Sequence, residues 1–280
     1  ITIGGNLKIF EVTAPDAGVP SGGGGEIRFQ NSGNARTITV SGDIILKNEN
    51  NSIYVQSPSA NNITHQMSVA GDISQTETGN GLLFSTGIGN DHIDLTLNGD
   101  GNNSFNITAG SIPEFHRVIM NKGTDQTSSF SFNGDFSLNG ATDGNTEDKA
   151  LYMQNGTLIL NDADFDIDLS SGGEDFYIPS SSGLVIQAGE VNVYGADNGI
   201  LLDGLLRADG ANSIIDMDGG AGVDNYIEYS ASGNATIEIE NDAQLTVGSQ
   251  IRRGTSSAEG ILKYTQTGGT VIVGKNDAPV

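Results

Sequence analysis

A short unit of two extended runs joined by a polar corner recurs along this chain, and it constrains the fold more than any other feature. Its clearest copy runs from Thr37 to Leu46, with Ser41-Gly42-Asp43 as the corner. The first run alternates apolar and small polar residues, which is the pattern of a half-buried strand. Glycine accepts positive φ, and aspartate closes turns through its own backbone. The unit therefore predicts strand, corner, strand.

The corner returns at a nearly constant spacing. Gly-Asp pairs begin at Gly42, Gly71, Gly99 and Gly134, which are separated by 29, 28 and 35 residues. Degenerate copies follow, with one missing near Asp216; they are Asn161-Asp162, Gly189-Glu190, Asn241-Asp242 and Asn276-Asp277. A fixed period in this range is the signature of a solenoid, whose units must stack to bury their apolar side. We interpret the long steps as insertions, at residues 111–127 and 252–259.

The apolar runs inside each repeat predict strands, because they are rich in β-branched residues and alternate with polar ones. Examples are residues 158–160, 184–186, 191–193, 236–239 and 270–273. Only residues 113–120 hint at a helical turn, and they fit a strand equally well. A propeller blade would need a longer period of about 40–50 residues. The prediction is an all-β, right-handed parallel β-helix of about ten turns, a single domain over residues 1–280 and a fragment of a longer chain.

Charge and composition restrict the partners and the location. The chain has 12 Lys and Arg against 35 Asp and Glu, a formal net charge of −23. Such a field repels nucleic acid and anionic lipid, and it attracts divalent cations. No apolar run reaches the ~18–20 residues of a membrane-spanning helix, and cysteine is absent. We expect an extracellular or cell-surface protein, with no nucleic-acid partner and no membrane insertion in this segment.

Three features give the chain a family resemblance. Gly5-Asn6-Leu7, the Gly-Asp corners and the run from Tyr264 to Gly274 resemble the filamentous repeats of large secreted bacterial surface proteins. Autotransporter passengers and the adhesin-like proteins exported by the type IX system of Bacteroidetes carry sequences of this kind. The resemblance implies a β-helical stalk or adhesin segment that contacts a host or environmental surface, including its glycans. The chain departs from those passengers in its acidity and its irregular step.

Two glycine-rich stretches predict a calcium site. Residues 219–227 and 86–94 resemble the β-helix repeat Gly-Gly-x-Gly-x-Asp-x-apolar-x, although the second lacks the first glycine. Glycine lets backbone carbonyls turn toward an ion, and aspartate supplies the hard oxygen that Ca²⁺ takes. The candidate ligands are Asp91, Asp94, Asp218 and Asp224. The alternative is that both stretches are tight β-corners that hold no ion.

Four aspartates at alternate positions form an acidic row, Asp162, Asp164, Asp166 and Asp168. Alternate residues of a strand share one side, ~6.8 Å apart, so the carboxylates lie together and the apolar residues between them face the other way. Three interpretations remain open: a cation-binding ladder, a pair of catalytic carboxylates, and a solvated face that discourages lateral sheet association.

Enzymes with parallel β-helices include polysaccharide lyases and hydrolases, so this class is the alternative to a stalk or adhesin. Lyase chemistry needs a basic residue beside acidic calcium ligands. Glu114, His116 and Arg117 form the densest mixed constellation and are the predicted glycan site of that alternative. A sugar-binding surface without chemistry would use scattered tyrosines, namely Tyr54, Tyr152, Tyr177, Tyr194, Tyr226, Tyr229 and Tyr264. The favoured function is a non-enzymatic stalk or adhesin segment, with polysaccharide binding or degradation as the alternative.

Overall fold

The computed structural model describes fifteen segments of the chain. They are residues 1–10, 25–29, 33–47, 51–55, 63–75, 81–85, 91–107, 112–138, 150–161, 165–168, 175–194, 198–218, 225–229, 233–254 and 260–274. All ladders between named strands in these segments are parallel. The same segments contain no helix, and hence none that is long and apolar enough to cross a membrane. The predicted all-β parallel solenoid is confirmed, while its right-handed sense stays a prediction that the general preference of β-crossovers favours.

Each turn contributes one strand to each of three faces. The first face contains β1 (Thr2–Ile3), β4 (Thr37–Val40), β7 (Thr64–Val69), β10 (His92–Leu97), β13 (Arg117–Asn121) and the first half of β16 (Leu151–Asn161). In the later turns, the strand at the corresponding position along the chain belongs to a separate sheet. That sheet contains β18 (Phe176–Ile178), β20 (Ile200–Leu202), β23 (Ile227–Tyr229) and β26 (Ile251–Arg253).

The second face is one continuous ladder of ten strands. It contains β2 (Leu7–Phe10), β5 (Ile44–Lys47), β8 (Ile73–Gln75), β11 (Asn103–Ile107), β14 (Ser129–Asn133), the second half of β16, the first half of β19 (Ser182–Tyr194), β21 (Leu205–Asp209), β24 (Asn234–Glu240) and β27 (Ile261–Gln266). At the ~4.8 Å spacing of neighbouring strands, this ladder is about 43 Å long.

The third face closes the cross-section in two ladders. The earlier ladder contains β3 (Glu26–Phe29), β6 (Ser52–Val55), β9 (Gly81–Leu83), β12 (Glu114–Phe115) and β15 (Ser137–Leu138). The later ladder contains β17 (Phe165–Asp168), the second half of β19, β22 (Ser213–Met217), β25 (Gln244–Val247) and β28 (Thr270–Val273). β16 and β19 thus each bend across a corner and serve two faces.

The core consists of columns of buried side chains, one residue from each turn. In-register pairing puts each inward residue directly above its counterpart in the previous turn. The column at the centre of the second face is Ile44, Ile73, Phe105, Phe132, Leu160, Ile186, Ala208 and Ile239, each fully buried. Phe84, Phe105, Phe115, Phe132 and Phe136 are joined by ring-to-ring contacts in mid-solenoid. The strands predicted from β-branched runs are confirmed.

The corner between the first and second faces is held by bonds from turn to turn. Gly71 N donates to Gly42 O at 3.1 Å, and Asp43 Oδ1 accepts from Asp72 N at 2.9 Å. Asp72 in turn accepts from Ser104 N, one turn further on, at 2.8 Å. Contrary to expectation, neither Gly42 nor Gly71 adopts a left-handed φ. Glycine is needed for space, because a Cβ on Gly71 would lie 2.7 Å from Gly42 O.

The fourth Gly-Asp pair, which begins at Gly134, lies at a different corner. Its assignment as the next copy of the corner between the first and second faces, which we call the first corner, is wrong. The residue stacked on Gly99 is Gly123, whose N donates to Gly99 O at 2.9 Å. Gly134 follows β14, and its N donates to Asn161 O at 3.1 Å, which places it at the corner between the second and third faces. The step of 35 residues is therefore a change of corner. The insertion predicted at residues 111–127 is wrong as well, since residues 112–127 contain β12, β13 and the connection to β14.

The later corner copies follow this second corner. Gly189 bends β19, and Asn241 and Asp242 separate β24 from β25 with left-handed φ values of 50° and 65°. The missing copy is Gly210, whose N donates to Glu240 O at 3.3 Å, whereas Asp216 lies inside β22. Within the region of the second predicted insertion, residues 252 and 253 belong to β26, and residues 255–259 lie outside the described segments, as does Asn276-Asp277.

Lys122 is a fully buried lysine at the first corner. Its Nζ donates to Asn98 O at 2.6 Å and to Asn103 Oδ1 at 2.8 Å, and it lies 3.5 Å from Ala70 O. Burial lowers the pKa of Lys122, and the charges of Asp72 and Asp100 oppose that shift. The ammonium thus crosslinks consecutive turns, because Asn98 and Asn103 belong to the previous turn of the corner and Ala70 belongs to the turn before that.

We expect Gly71→Ala to destabilise the solenoid by about 1–3 kcal/mol, because the added Cβ overlaps the Gly42 backbone and forces two turns apart. Gly4→Ala is the matched control, since a Cβ on Gly4 would have no atom within 4 Å. Urea unfolding followed by circular dichroism measures both variants. Equal midpoints for the two would show that the corner does not need this close approach.

Candidate functional site

Two groups of residues that the sequence assigned to different sites come together on the first face. Asp94, a predicted calcium ligand, is paired in register with Arg117, a predicted glycan-site residue. His116 precedes Arg117 and also contacts Asp94, and His92 lies two residues before Asp94 in β10. We call His92, Asp94, His116 and Arg117 the histidine–aspartate cluster.

Local strand geometry explains how the cluster forms. In β10 the side chains of Ile93 and Leu95 are fully buried in the core, so His92 and Asp94 lie on the outer side. β12 ends at the fully buried Phe115, and β13 begins at Arg117. His116 is therefore the single residue between these two strands, and its side chain lies over the previous turn.

The side chains of the cluster are closely packed. His116 Nδ1 lies 2.9 Å from Asp94 Oδ1, and Arg117 Nη1 lies 3.8 Å from Asp94 Oδ2. The His92 and His116 rings are stacked with centroids 3.4 Å apart and planes at 20°. The Asp94 side chain is only 5% exposed, although it lies on the outer side of its strand. Its charge is balanced by Arg117 and by hydrogen bonding to His116, as a nearly buried carboxylate requires.

Ser85 and Thr64 complete the surroundings of His92. Ser85 forms an isolated antiparallel bridge with His92, and Thr64 Oγ1 lies 2.7 Å from His92 Nε2. Glu114, the remaining residue of the predicted glycan site, is half-buried in β12 and pairs in register with Leu83 and Ser137. Of the three predicted glycan-site residues, His116 and Arg117 thus belong to the cluster.

Asp91 has different surroundings from Asp94. It is buried, its Oδ1 accepts from Ile63 N at 2.9 Å, and its Oδ2 has no hydrogen-bond partner in the described part of the chain. Nearby His65 is fully buried and accepts from Arg36 N through Nδ1 at 3.0 Å. Burial lowers the pKa of His65; the charge of Asp91 opposes this shift and that of Arg36 adds to it.

The other predicted acidic sites are described only in part. Asp218 N donates to Asp216 Oδ1 at 2.8 Å, while Asp224, Asp162 and Asp164 lie outside the described residues. Strand β17 pairs in parallel with β19, and the register matches Asp166 with Asn192 and Asp168 with Tyr194. Calcium binding by Asp91, Asp94, Asp218 and Asp224 stays a prediction, as does the role of the acidic row.

A second polar surface lies on the sheet formed by β18, β20, β23 and β26; the sequence named its tyrosines, Tyr177 and Tyr226, but did not show which residues they contact. Tyr226 Oη donates to Asp175 Oδ1 at 3.1 Å, and the guanidinium of Arg252 lies 3.8 Å from the Tyr226 ring centroid. Tyr177, 40% exposed, donates from Oη to Asp203 Oδ2 at 2.9 Å. We call these five residues the tyrosine face.

Burial raises the pKa of Tyr177 to about 12, and its hydrogen bond to Asp203 and the charge of that carboxylate act in the same direction. The hydroxyl is therefore a fixed donor at neutral pH. The contacting residues of this face are 26 or 51 positions apart in sequence. Strand register brings them together, since it pairs Phe176 with Ile200 and Ile200 with Ile227.

In comparisons with known proteins, no family model, curated protein or solved structure matches the chain. The resemblance to secreted bacterial repeat proteins stays a prediction from the Gly-Asp corners and the run from Tyr264 to Gly274.

We expect the stability of the solenoid to fall below pH ~6.5, where the unfolded chain protonates His65 and the folded chain, with its lowered His65 pKa, does not. Above that pH both states hold the ring neutral, so this contribution is constant. His65→Gln removes the titrating group. The unfolding free energy of this variant should depend less steeply on pH than that of the unmodified protein, by a slope that corresponds to up to roughly one proton per chain. Urea unfolding at several pH values measures this; parallel profiles would contradict it.

Proposed function

We propose that the chain is a non-enzymatic β-solenoid segment of a secreted or cell-surface bacterial protein, which acts as a stalk or adhesive segment. The observation that carries the proposal is the second face, where ten parallel strands pair without interruption from β2 to β27. Each turn is bonded only to its neighbours along such a ladder, so tension along the axis is passed from turn to turn.

Side chains on the outside add further links between turns. Asn133 Nδ2 donates to Asn106 Oδ1 at 2.7 Å, and Asn161 Nδ2 donates to Asn133 Oδ1 at 3.2 Å. The later turns of the same face are joined by ion pairs, since Arg207 Nη2 lies 2.6 Å from Glu240 of the next turn and Lys263 Nζ lies 3.7 Å from Glu238 of the previous turn. These contacts lie outside the core and resemble one another from turn to turn, which suits a segment whose role is mechanical.

The net charge of −23 supports an extracellular location. A strongly acidic rod stays soluble although its long surface is exposed to water, and it is repelled by nucleic acid and anionic lipid. A host or environmental surface, including its glycans, is the partner that this proposal implies.

Stretching the chain between handles at residues 1 and 280 tests the mechanical role. We expect a series of small unfolding steps, each releasing about 28 residues, or roughly 95 Å of extended chain. Successive release is the behaviour of a structure whose turns contact only their neighbours. A single event that releases the whole chain at once would contradict the proposal, as would extension without measurable force.

The tyrosine face favours polysaccharide binding as the second candidate function. It presents an exposed aromatic ring with fixed orientation beside carboxylates, and sugar-binding surfaces combine such apolar and polar groups. Arg117, the basic residue of the predicted glycan site, is held against Asp94 with its side chain only 12% exposed. We therefore place sugar contact on the tyrosine face and not at Glu114, His116 and Arg117.

Affinity electrophoresis through gels that contain acidic or neutral polysaccharides tests this alternative. We expect Tyr177→Ala to weaken retention about three- to tenfold, as loss of an aromatic contact does. Tyr264→Ala is the matched control, because Tyr264 is 44% exposed but lies in β27 on another face. Equal retention of both variants would contradict sugar binding at this face, and new reducing ends in the incubated polysaccharide would indicate an enzyme.

A further inference from the structure

We propose that His92, Asp94 and His116 form a binding site for a divalent transition-metal ion of the zinc type. The proposal is independent of the mechanical function, and it shares only Asp94 with the predicted calcium site, from which it differs in the other ligands and in the metal. One ligand atom from each of the three residues lies within 4.8 Å of the other two.

The donor set selects the metal. Ca²⁺ and Mg²⁺ take oxygen ligands, whereas imidazole nitrogen suits Zn²⁺, Cu²⁺, Ni²⁺ and Fe²⁺. Two imidazoles and one carboxylate are a common set for these ions, and three protein ligands leave a coordination position for water. His92 and His116 are half-buried, so the ion can reach the site from solvent.

The ligand atoms are already close to the separations of a bound site. A tetrahedral zinc site with bonds of about 2.1 Å has ligand atoms about 3.4 Å apart. The distance between His116 Nδ1 and Asp94 Oδ1 is 2.9 Å, so an opening of about half an ångström admits the ion. The rings of His92 and His116 are stacked with centroids 3.4 Å apart, and because the nitrogen lone pairs lie in the ring planes, one ring must rotate for both histidines to coordinate the same ion.

Surrounding residues hold the ligands in place. Metal-binding histidines usually use their second ring nitrogen for a hydrogen bond that fixes the ring. Thr64 Oγ1, 2.7 Å from His92 Nε2, is in position for such a bond. Asp94 lies in the middle of a strand paired on both sides, with Gln66 and with Arg117, so its backbone is rigid.

Arg117 is the cationic member of the cluster, and its charge acts against the binding of an ion. Its Nη1 lies 3.8 Å from Asp94 Oδ2, on the oxygen that His116 does not contact. The carboxylate can thus bind an ion through Oδ1 while Oδ2 stays with Arg117. The positive charge of Arg117 lowers the affinity of the site for a metal ion, so we expect its removal to raise that affinity.

The chain has three histidines, of which two are proposed ligands and the third serves as a reference. The decisive test can therefore use the unmodified protein. Zn²⁺ is titrated in the presence of excess Mg²⁺, which occupies non-specific acidic sites, and the imidazole proton resonances are followed by NMR. We expect one Zn²⁺ per chain to shift the resonances of His92 and His116 and to leave those of the buried His65 in place. Absence of a shift, or an equal shift of all three, would overturn the proposal.

Variants then measure the contribution of each ligand by calorimetry. We expect His92→Gln, Asp94→Asn and His116→Gln each to weaken Zn²⁺ binding by more than about tenfold, and Arg117→Gln to strengthen it by roughly threefold or more. Asp125→Asn is the matched control, since it removes the same unit of charge from an exposed corner residue. Circular dichroism identifies folded variants, and unchanged affinity in folded His92→Gln and His116→Gln proteins would refute the site.

Discussion

Parallel, in-register pairing between successive turns is the constraint on which the rest of this structure depends. A strand of the solenoid finds its backbone partners only in the turns before and after it. Every turn must therefore follow nearly the same path as its neighbours, or the ladder ends. The bonds from Gly71 to Gly42 and from Asp72 to Asp43 keep that path constant at the corner, where strand pairing alone would not.

The same constraint decides which side chains meet. Residues at one register position form a column, so contacts on the surface join residues about one turn apart in sequence. His116 reaches Asp94 in this way, and the tyrosine face collects Asp175, Tyr226 and Arg252 from three turns. Lys122 shows the rule in the interior, because its ammonium bonds to acceptors of the previous turn at the same corner. Local clusters in a solenoid are thus assembled by register.

Much of the fold could be predicted because its signals are local. Alternation in runs such as Thr236 to Ile239 reports a strand with one buried side, and the Gly-Asp pairs report corners. The error at Gly134 has a physical cause: two corners of the cross-section need the same small or polar residues, since both demand tight turns. Turn chemistry does not distinguish one corner from another. Only the hydrogen bond from Gly123 to Gly99 does so.

The sequence by itself determined that this chain coils in stacked strands with an acidic exterior, because alternation, glycine spacing and charge are properties of neighbouring residues. It also pointed to Asp94, His116 and Arg117, although as members of two separate sites. Only the tertiary structure decided that these residues belong to one cluster with His92. The reason is that contact between turns depends on the exact length of every corner and strand between them, and a shift of a single residue would turn Asp94 toward the core.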